Sequence, residues 1–259
     1  MYAIDLSGEF ALVMGVANQR SLAWAIAQAL GDAGCRLALT YQGERLQKNV
    51  AALAEKYTDA LVIPCDVTST EQMDGLFSTI ENEFGKLSYL IHSIAFARRE
   101  ELEGEFRKTS REGWRIALEI SAYSLIDLAN RSTPLMEKGG RGSIVALSYL
   151  AATRAVPNYN VMGSAKAALE HCVRQLAFEL GPKAIRVNAI SAGPIPTLSA
   201  RGVSGFTGML AHNRERAPLR RSVEPDEVGT TALFLCSDMS SGITGETIYV
   251  DAGYHIMGL

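Results

Sequence analysis

The chain has 259 residues, 47% of them hydrophobic, and a formal net charge of −3 with both signs scattered along its length. That length fits one large α/β domain able to bury roughly 70% of its unfolded surface, and the weak, mixed charge argues against a nucleic-acid surface. Cys35, Cys65, Cys172 and Cys236 form no CxxC pair and the four histidines no HExxH, so neither a disulfide framework nor structural zinc is expected, and a reducing cytoplasm suits the thiols.

The first residues, MYAIDLSGEF, lack a basic stretch followed by an apolar one, and no window of about eighteen uninterrupted apolar residues follows. A soluble protein without membrane insertion is expected, with one domain across residues 1–259, since there is no internal repeat or long linker. In chain order, the β-rich run at 10–14 precedes a helical pattern from Leu22 to Ala33. The run at 36–41 precedes Glu44 to Tyr57, and that at 60–65 precedes Thr70 to Phe84, where Ser69 and Gln72 read as a capping box. The runs at 87–93 and 142–148 are followed by helical spacing from Arg111 to Asn130 and from Tyr159 to Leu180. The run at 185–191 leads through an irregular stretch, Ala192 to Pro218, to a helix from Pro225 to Cys236 and a last strand at 247–250. Strands alternating with helices of this length predict a Rossmann-type doubly wound parallel sheet of about seven strands with helices on both faces. The irregular stretch is longer than usual connections and is expected to cover a ligand.

After the first strand, GVANQRSLAWAIA departs from GxGxxG, because Gly15 is its only glycine. Gly15 still allows a tight turn, Ala17 and Ala23 permit close approach, and Ser21 is placed to cap the helix and meet a pyrophosphate at its positive end. At the second strand's end, Tyr41-Gln42-Gly43 has neither an acid for a ribose 2′-hydroxyl nor a base for a 2′-phosphate. Gln42 suits ribose or the adenine edge, which favours NADH; Arg20 and Arg45 keep NADPH open. Asp66 and Val67 end the third strand, and Ser93, Ile94 and Ala95 the fourth, where ligands of open α/β sheets sit.

Tyr159 and Lys166 are seven positions apart, so at about 100° per residue both would project from one helix face two turns apart. A phenol can donate to an oxygen gaining negative charge, and a nearby ammonium can lower its pKa and hold ribose hydroxyls. Tyr149 can supply a second hydroxyl at the same cleft. Short-chain dehydrogenases place the lysine four residues after the tyrosine, but Gly163 stands there, which argues against an ordinary carbonyl reductase.

With GVANQRSLAWAIA, the chain carries YQGER, CDV, HSIAFA, SAYSL, LSYL, PNYNVMGSAKAALE, RVNAISAGPI, APLRR and SGITGETIYVDAGYHIMG. In these ordered motifs and in Tyr-x6-Lys it resembles, nearly end to end, the bacterial enoyl-acyl-carrier-protein reductases, a divergent branch of the short-chain dehydrogenases. The resemblance implies NADH-dependent reduction of trans-2-enoyl thioesters in the last step of the fatty acid elongation cycle, with enoyl-acyl carrier protein as substrate and a homotetrameric assembly. It implies catalytic roles for Tyr149, Tyr159 and Lys166, and cofactor contacts at Gly15, Ser21, Leu22, Gln42, Asp66, Val67, Ser93, Ile94 and Lys166. It adds Ile195, Pro196, Thr197, Leu198 and Ser199 along the cofactor, Ala97 at the enoyl pocket, and Phe206 in a substrate-binding loop at about 195–218. Pro196 replaces an arginine frequent in relatives, and Ser204, Thr207 and Gly208 stand where basic residues often meet the acidic carrier. Arg201, Arg214, Arg216, Arg220 or Arg221 would then do more of that docking. Arg98 stands where proline is frequent, beside the pocket rim. A carbonyl or alcohol dehydrogenase and a non-catalytic dinucleotide sensor are the competing readings.

Overall fold

Seven strands pair side by side, all parallel, in a computed structural model that describes residues 4–197 and 204–258. They are β1 (Phe10–Met14), β2 (Arg36–Tyr41), β3 (Leu61–Pro64), β4 (Tyr89–His92), β5 (Gly142–Ser148), β6 (Ile185–Ala192) and β7 (Thr247–Val250), in spatial order β3-β2-β1-β4-β5-β6-β7. Each lies within one residue or two of its apolar run; for the five inner strands this follows because a parallel strand buried on both faces carries an almost unbroken apolar signal. Alternate residues serve opposite faces. Ala11, Val13, Leu37, Leu39 and Val145 join one apolar cluster, and Leu12, Met14, Ala38, Ile144 and Ala146 the other.

The first cluster is covered by α1 (Leu22–Asp32), α2 (Glu44–Ala54) and α8 (Pro225–Cys236), the second by α3 (Thr70–Phe84), α5 (Ser124–Lys138) and α6 (Asn160–Leu180). α1 and α8 approach so closely that a Cβ on Gly229 would stand 2.7 Å from the Ala25 carbonyl oxygen. The capping box expected at α3 is half present. Ser69 accepts from the Gln72 amide at 3.3 Å, but the Gln72 side chain instead accepts from the Asp66 amide at 2.9 Å.

Two expectations about helices are corrected. The helix from Arg111 does not end at Asn130: α4 (Arg111–Leu118) passes through a π turn, Glu119–Tyr123, into α5, which runs on to Lys138 with Pro134 inside it. The widened turn coincides with tertiary bonds. Ser121 bridges the Phe96 amide at 3.0 Å and carbonyl at 3.2 Å, and Ser124 bonds His92 Nε2 at 2.8 Å. The stretch from Ala192 to Pro218 is not wholly irregular either, for it contains α7 (Phe206–Arg216). Only Asn213 of α7 is buried, so no apolar period announces it. Among the described residues, no helix is long and apolar enough to cross a membrane.

Candidate active site

The strand order reverses between β1 and β4, and the carboxyl ends of those strands leave a crevice at that switch point. Met14 pairs with His92, which brings the residues after them together: Gly15, at φ +90°, is so close to Ser93 that an added Cβ would lie 2.2 Å from its carbonyl oxygen. Only glycine fits there. Above it opens a cavity of about 470 Å³.

One end of this cavity is lined by Gly15, Ala17, Ser21 and Leu22 at the start of α1, with Ser93, Ile94 and Ala95 after β4. Ser21 holds the N-cap position in extended conformation, yet its hydroxyl donates to the Asn18 carbonyl at 2.7 Å and does not cap α1. That corrects the capping expectation. With no acidic side chain in the first turn, the positive end of α1 faces the cavity without a built-in anion.

Gln42 and Asp66 do not line this cavity; they meet each other instead, Gln42 Nε2 donating to Asp66 Oδ2 at 2.9 Å. Burial pushes the Asp66 carboxyl up, but the Thr68 amide and hydroxyl and the Gln42 amide outweigh it and hold the carboxyl below its ordinary value. The pair bridges the ends of β2 and β3. Val67 packs against the second apolar cluster.

At the other end, Tyr149 follows β5, Tyr159 is the N-cap of α6, and Lys166 lies two turns into that helix; all three line the cavity. The two tyrosine rings lie 4.8 Å apart at 55°. Lys166 is 5% exposed and its Nζ donates to the Leu147 carbonyl at 2.6 Å. Burial pushes the lysine down to about 8, against which the Glu170 carboxylate pulls it up. Burial also raises the Tyr159 phenol above its ordinary value, with Tyr149 adding to the effect, and pushes Tyr149 up to about 12. The expected lowering of the phenol by the ammonium is therefore not what this chain displays. Lys166 gives one N–H to a backbone carbonyl, and desolvation dominates the phenol.

The spacing has a steric basis. A Cβ on Gly163, four residues after Tyr159, would stand 3.1 Å from the Ala151 carbonyl, so a lysine there would press on the turn Leu150–Ala152.

Ala97, Leu102, Met162 and Tyr159 belong to a small apolar cluster at this end, and Phe206 and Met209 of α7 lie across the opening. Tyr149 Oη donates to Met209 Sδ at 3.2 Å, while Asn158 Nδ2 holds the Ser204 carbonyl at 3.0 Å, tying the start of α7 to the entry of α6. Ile195 and Thr197 line the cavity, and Pro196 is exposed and does not. Leu198, Ser199 and Arg201 lie outside the described residues. The rim arginine is Arg99 rather than Arg98.

Met162, Leu102 and Met209 were not singled out from sequence. For Met162 the signal existed: it is three residues after Tyr159 and four before Lys166, on the same helix face.

A family model described as "Enoyl-(Acyl carrier protein) reductase" matches residues 15–255. The chain belongs to the enoyl-acyl-carrier-protein reductase family. Among family relatives, the enoyl-[acyl-carrier-protein] reductase [NADH] FabI of Nostoc sp. is 52% identical over 99% of this chain and 100% of its own length. The protein of the same name from Bacillus cereus is 53% identical over 98% and 99%. A crystal structure of the Bacillus cereus enoyl-acyl carrier protein reductase with NADP+ and an indole naphthyridinone superposes with a TM-score of 0.95 at 52% identity, covering 98% of this chain and all of that one. The sheet, the helices on both faces and the family expected from sequence all stand.

Proposed function

We propose that this chain reduces the trans-2 double bond of enoyl-acyl-carrier-protein thioesters with NADH. The reading is carried by one observation: two tyrosines in ring contact and a buried lysine share a cleft with a glycine turn that admits no Cβ, at the sheet's switch point. Glycine there lets a dinucleotide lie against the backbone, and the start of α1 suits its pyrophosphate, so the residues present fit this cofactor. Gly15, Ser21, Leu22, Ser93, Ile94, Ile195 and Thr197 would hold it, with Leu198, Ser199 and Pro196 along its length. Gln42, Asp66 and Val67 would take the adenine end, where Tyr41-Gln42-Gly43 offers no base to a 2′-phosphate.

Bound nicotinamide supplies the hydride that the β-carbon receives. Tyr159 donates a hydrogen bond to the thioester oxygen, where charge accumulates as the enolate forms, and uptake of a proton at the α-carbon then gives the saturated acyl chain. Its raised pKa suits that role, since a protonated phenol is a donor. Tyr149 buttresses the ring, and Lys166 holds the nicotinamide ribose hydroxyls. Ala97, Met162, Leu102 and Phe206 shape an apolar slot for the acyl chain and exclude water.

One domain holds both ends of the site. Arg214 and Arg216, exposed on α7, are the arginines best placed to meet an acidic carrier, because Arg220 is bonded to the Glu215 carbonyl and Arg221 is paired with Glu227 at 2.7 Å. Trp114 (43% exposed), Tyr123 (59%) and Phe178 (82%) on α4, the π turn and α6 support burial between copies in a homotetramer, and a cytoplasmic location suits the four free thiols.

Steady-state oxidation of NADH and NADPH with a short trans-2-enoyl thioester tests the reading. NADH turnover is expected. Consumption with a ketone or aldehyde but not with crotonyl thioester would overturn it in favour of a carbonyl reductase, and binding without any turnover in favour of a sensor.

A further inference from the structure

Lys166 does not lie alone in the interior. Glu170, one turn further along α6, is also 5% exposed, and the spacing sets both on one helix face. That face meets two consecutive residues of β5. The Leu147 carbonyl accepts from Lys166 Nζ at 2.6 Å, and the Ser148 hydroxyl donates to Glu170 Oε1 at 2.6 Å. Cation and anion are each anchored on the strand rather than on one another.

Four ionisable groups bear on this end of the cleft: Glu170 on the same helix and His92 from β4 interact with the ammonium through their charges, and Tyr149 and Tyr159 line the cavity with it. Burial keeps both phenols protonated, and burial, with Lys166 second, pushes His92 down to about 3 and so keeps it neutral. Of these four, Glu170 is the one whose charge favours the ammonium. A direct ion pair would draw Nζ away from the cleft. With the carboxylate taken by Ser148, the charge still acts through space while the lysine's remaining N–H donors stay available.

We propose that Glu170, seated on the Ser148 hydroxyl, is a positioning residue that keeps Lys166 charged and facing the cleft, and thereby sets the upper pH limit of nucleotide binding. This rests on the assignment of the cleft to a nicotinamide dinucleotide.

The test is the dissociation constant of NADH, followed by fluorescence titration from about pH 6 to pH 9.5 for the full chain, Glu170→Gln and Ser148→Ala. Wild-type affinity should fall as pH rises through about 8, where Lys166 loses its proton. Glu170→Gln keeps the shape and removes the charge. Its fall should come about one pH unit lower, giving roughly fivefold weaker binding at pH 8, about tenfold at pH 9 and above, and near-wild-type binding at pH 6. Ser148→Ala, which carries the test if Glu170→Gln does not fold, should weaken binding at every pH without lowering the midpoint, because the released carboxylate turns to the lysine. A Glu170→Gln loss of equal factor at every pH, or a Ser148→Ala variant matching wild type in affinity and midpoint, overturns the inference alone. Wild type that binds no NADH at pH 6 overturns the cofactor assignment itself.

Discussion

The rings of Tyr149 and Tyr159 meet at 4.8 Å, tilted by 55°, in the wall of the cleft, and Tyr149 is in turn bonded to Met209 of α7. The two phenols are thus unequal: the Tyr149 hydroxyl is occupied by a thioether, and Tyr159 is the stronger candidate for the substrate oxygen. Tyr159→Phe should lower kcat by about 10²–10³, the usual cost of losing one donor to a developing oxyanion, with NADH affinity within about twofold of wild type. Lys166→Ala should instead weaken NADH binding itself. Parallel kinetics and nucleotide titrations separate the two; equal loss of nucleotide affinity in both variants would contradict these roles.

Gly15 offers a sharper test of where the nucleotide lies. Alanine there would need a left-handed φ of +90° and place its Cβ 2.2 Å from a backbone oxygen that cannot rotate away. Gly15→Ala should therefore destabilise the chain by several degrees in Tm and weaken NADH binding at least about tenfold. Gly208→Ala, in open space on α7, should change neither. Thermal unfolding with and without NADH reads both effects.

The contrast between strands and helices explains what was legible beforehand. The five inner strands stood out because burial on both faces makes them nearly continuous apolar runs, and the half-buried edge strands β3 and β7 because they keep short β-rich runs between helices. The turn at Gly15, Ser21 and Leu22 was legible because chain order placed it after the first strand. α7 was not, since a helix with one buried residue has no stripe. The extension of α5 past Asn130 was hidden by Pro134, which reads as a breaker but lies exposed, where its ring disturbs nothing packed. The π turn is dictated by Ser121 and Ser124 reaching β4 and the segment after it, contacts about 25 to 32 residues distant that no local pattern carries. The capping role given to Ser21 failed for a similar reason, because a hydroxyl three residues past a carbonyl in a tight turn bonds it first.

Met209 ties α7 to the catalytic end, so its thioether should influence how readily the cleft opens. Met209→Ala removes the acceptor of the Tyr149 hydroxyl and part of the wall across the opening. A KM for enoyl thioesters raised by about three- to tenfold, with NADH affinity unchanged, is the expected outcome in steady-state assays. A rise in the nucleotide dissociation constant would show instead that α7 covers the cofactor.

Stability should depend on acid through the start of α8. Arg221 binds both oxygens of Glu227 at 2.7 Å, and Glu227 Oε2 also accepts from the Glu224 amide at 2.9 Å, closing the first turn. Arg221 first and that amide second hold the Glu227 carboxyl down at about 2, against 4.5 for an ordinary glutamate. Between those values the unfolded chain takes up a proton that the folded chain does not. The contribution is therefore complete above pH 4.5 and is lost as pH falls through about 2. The pair is partly exposed, so its worth is at most about 1 kcal/mol, or about 2–4 °C in Tm for a chain of this size. Arg221→Gln should show that deficit at pH 7 and progressively less of it below pH 4.5 in calorimetric scans. A deficit that stays constant with pH would mean that Arg221 acts by packing rather than by its charge.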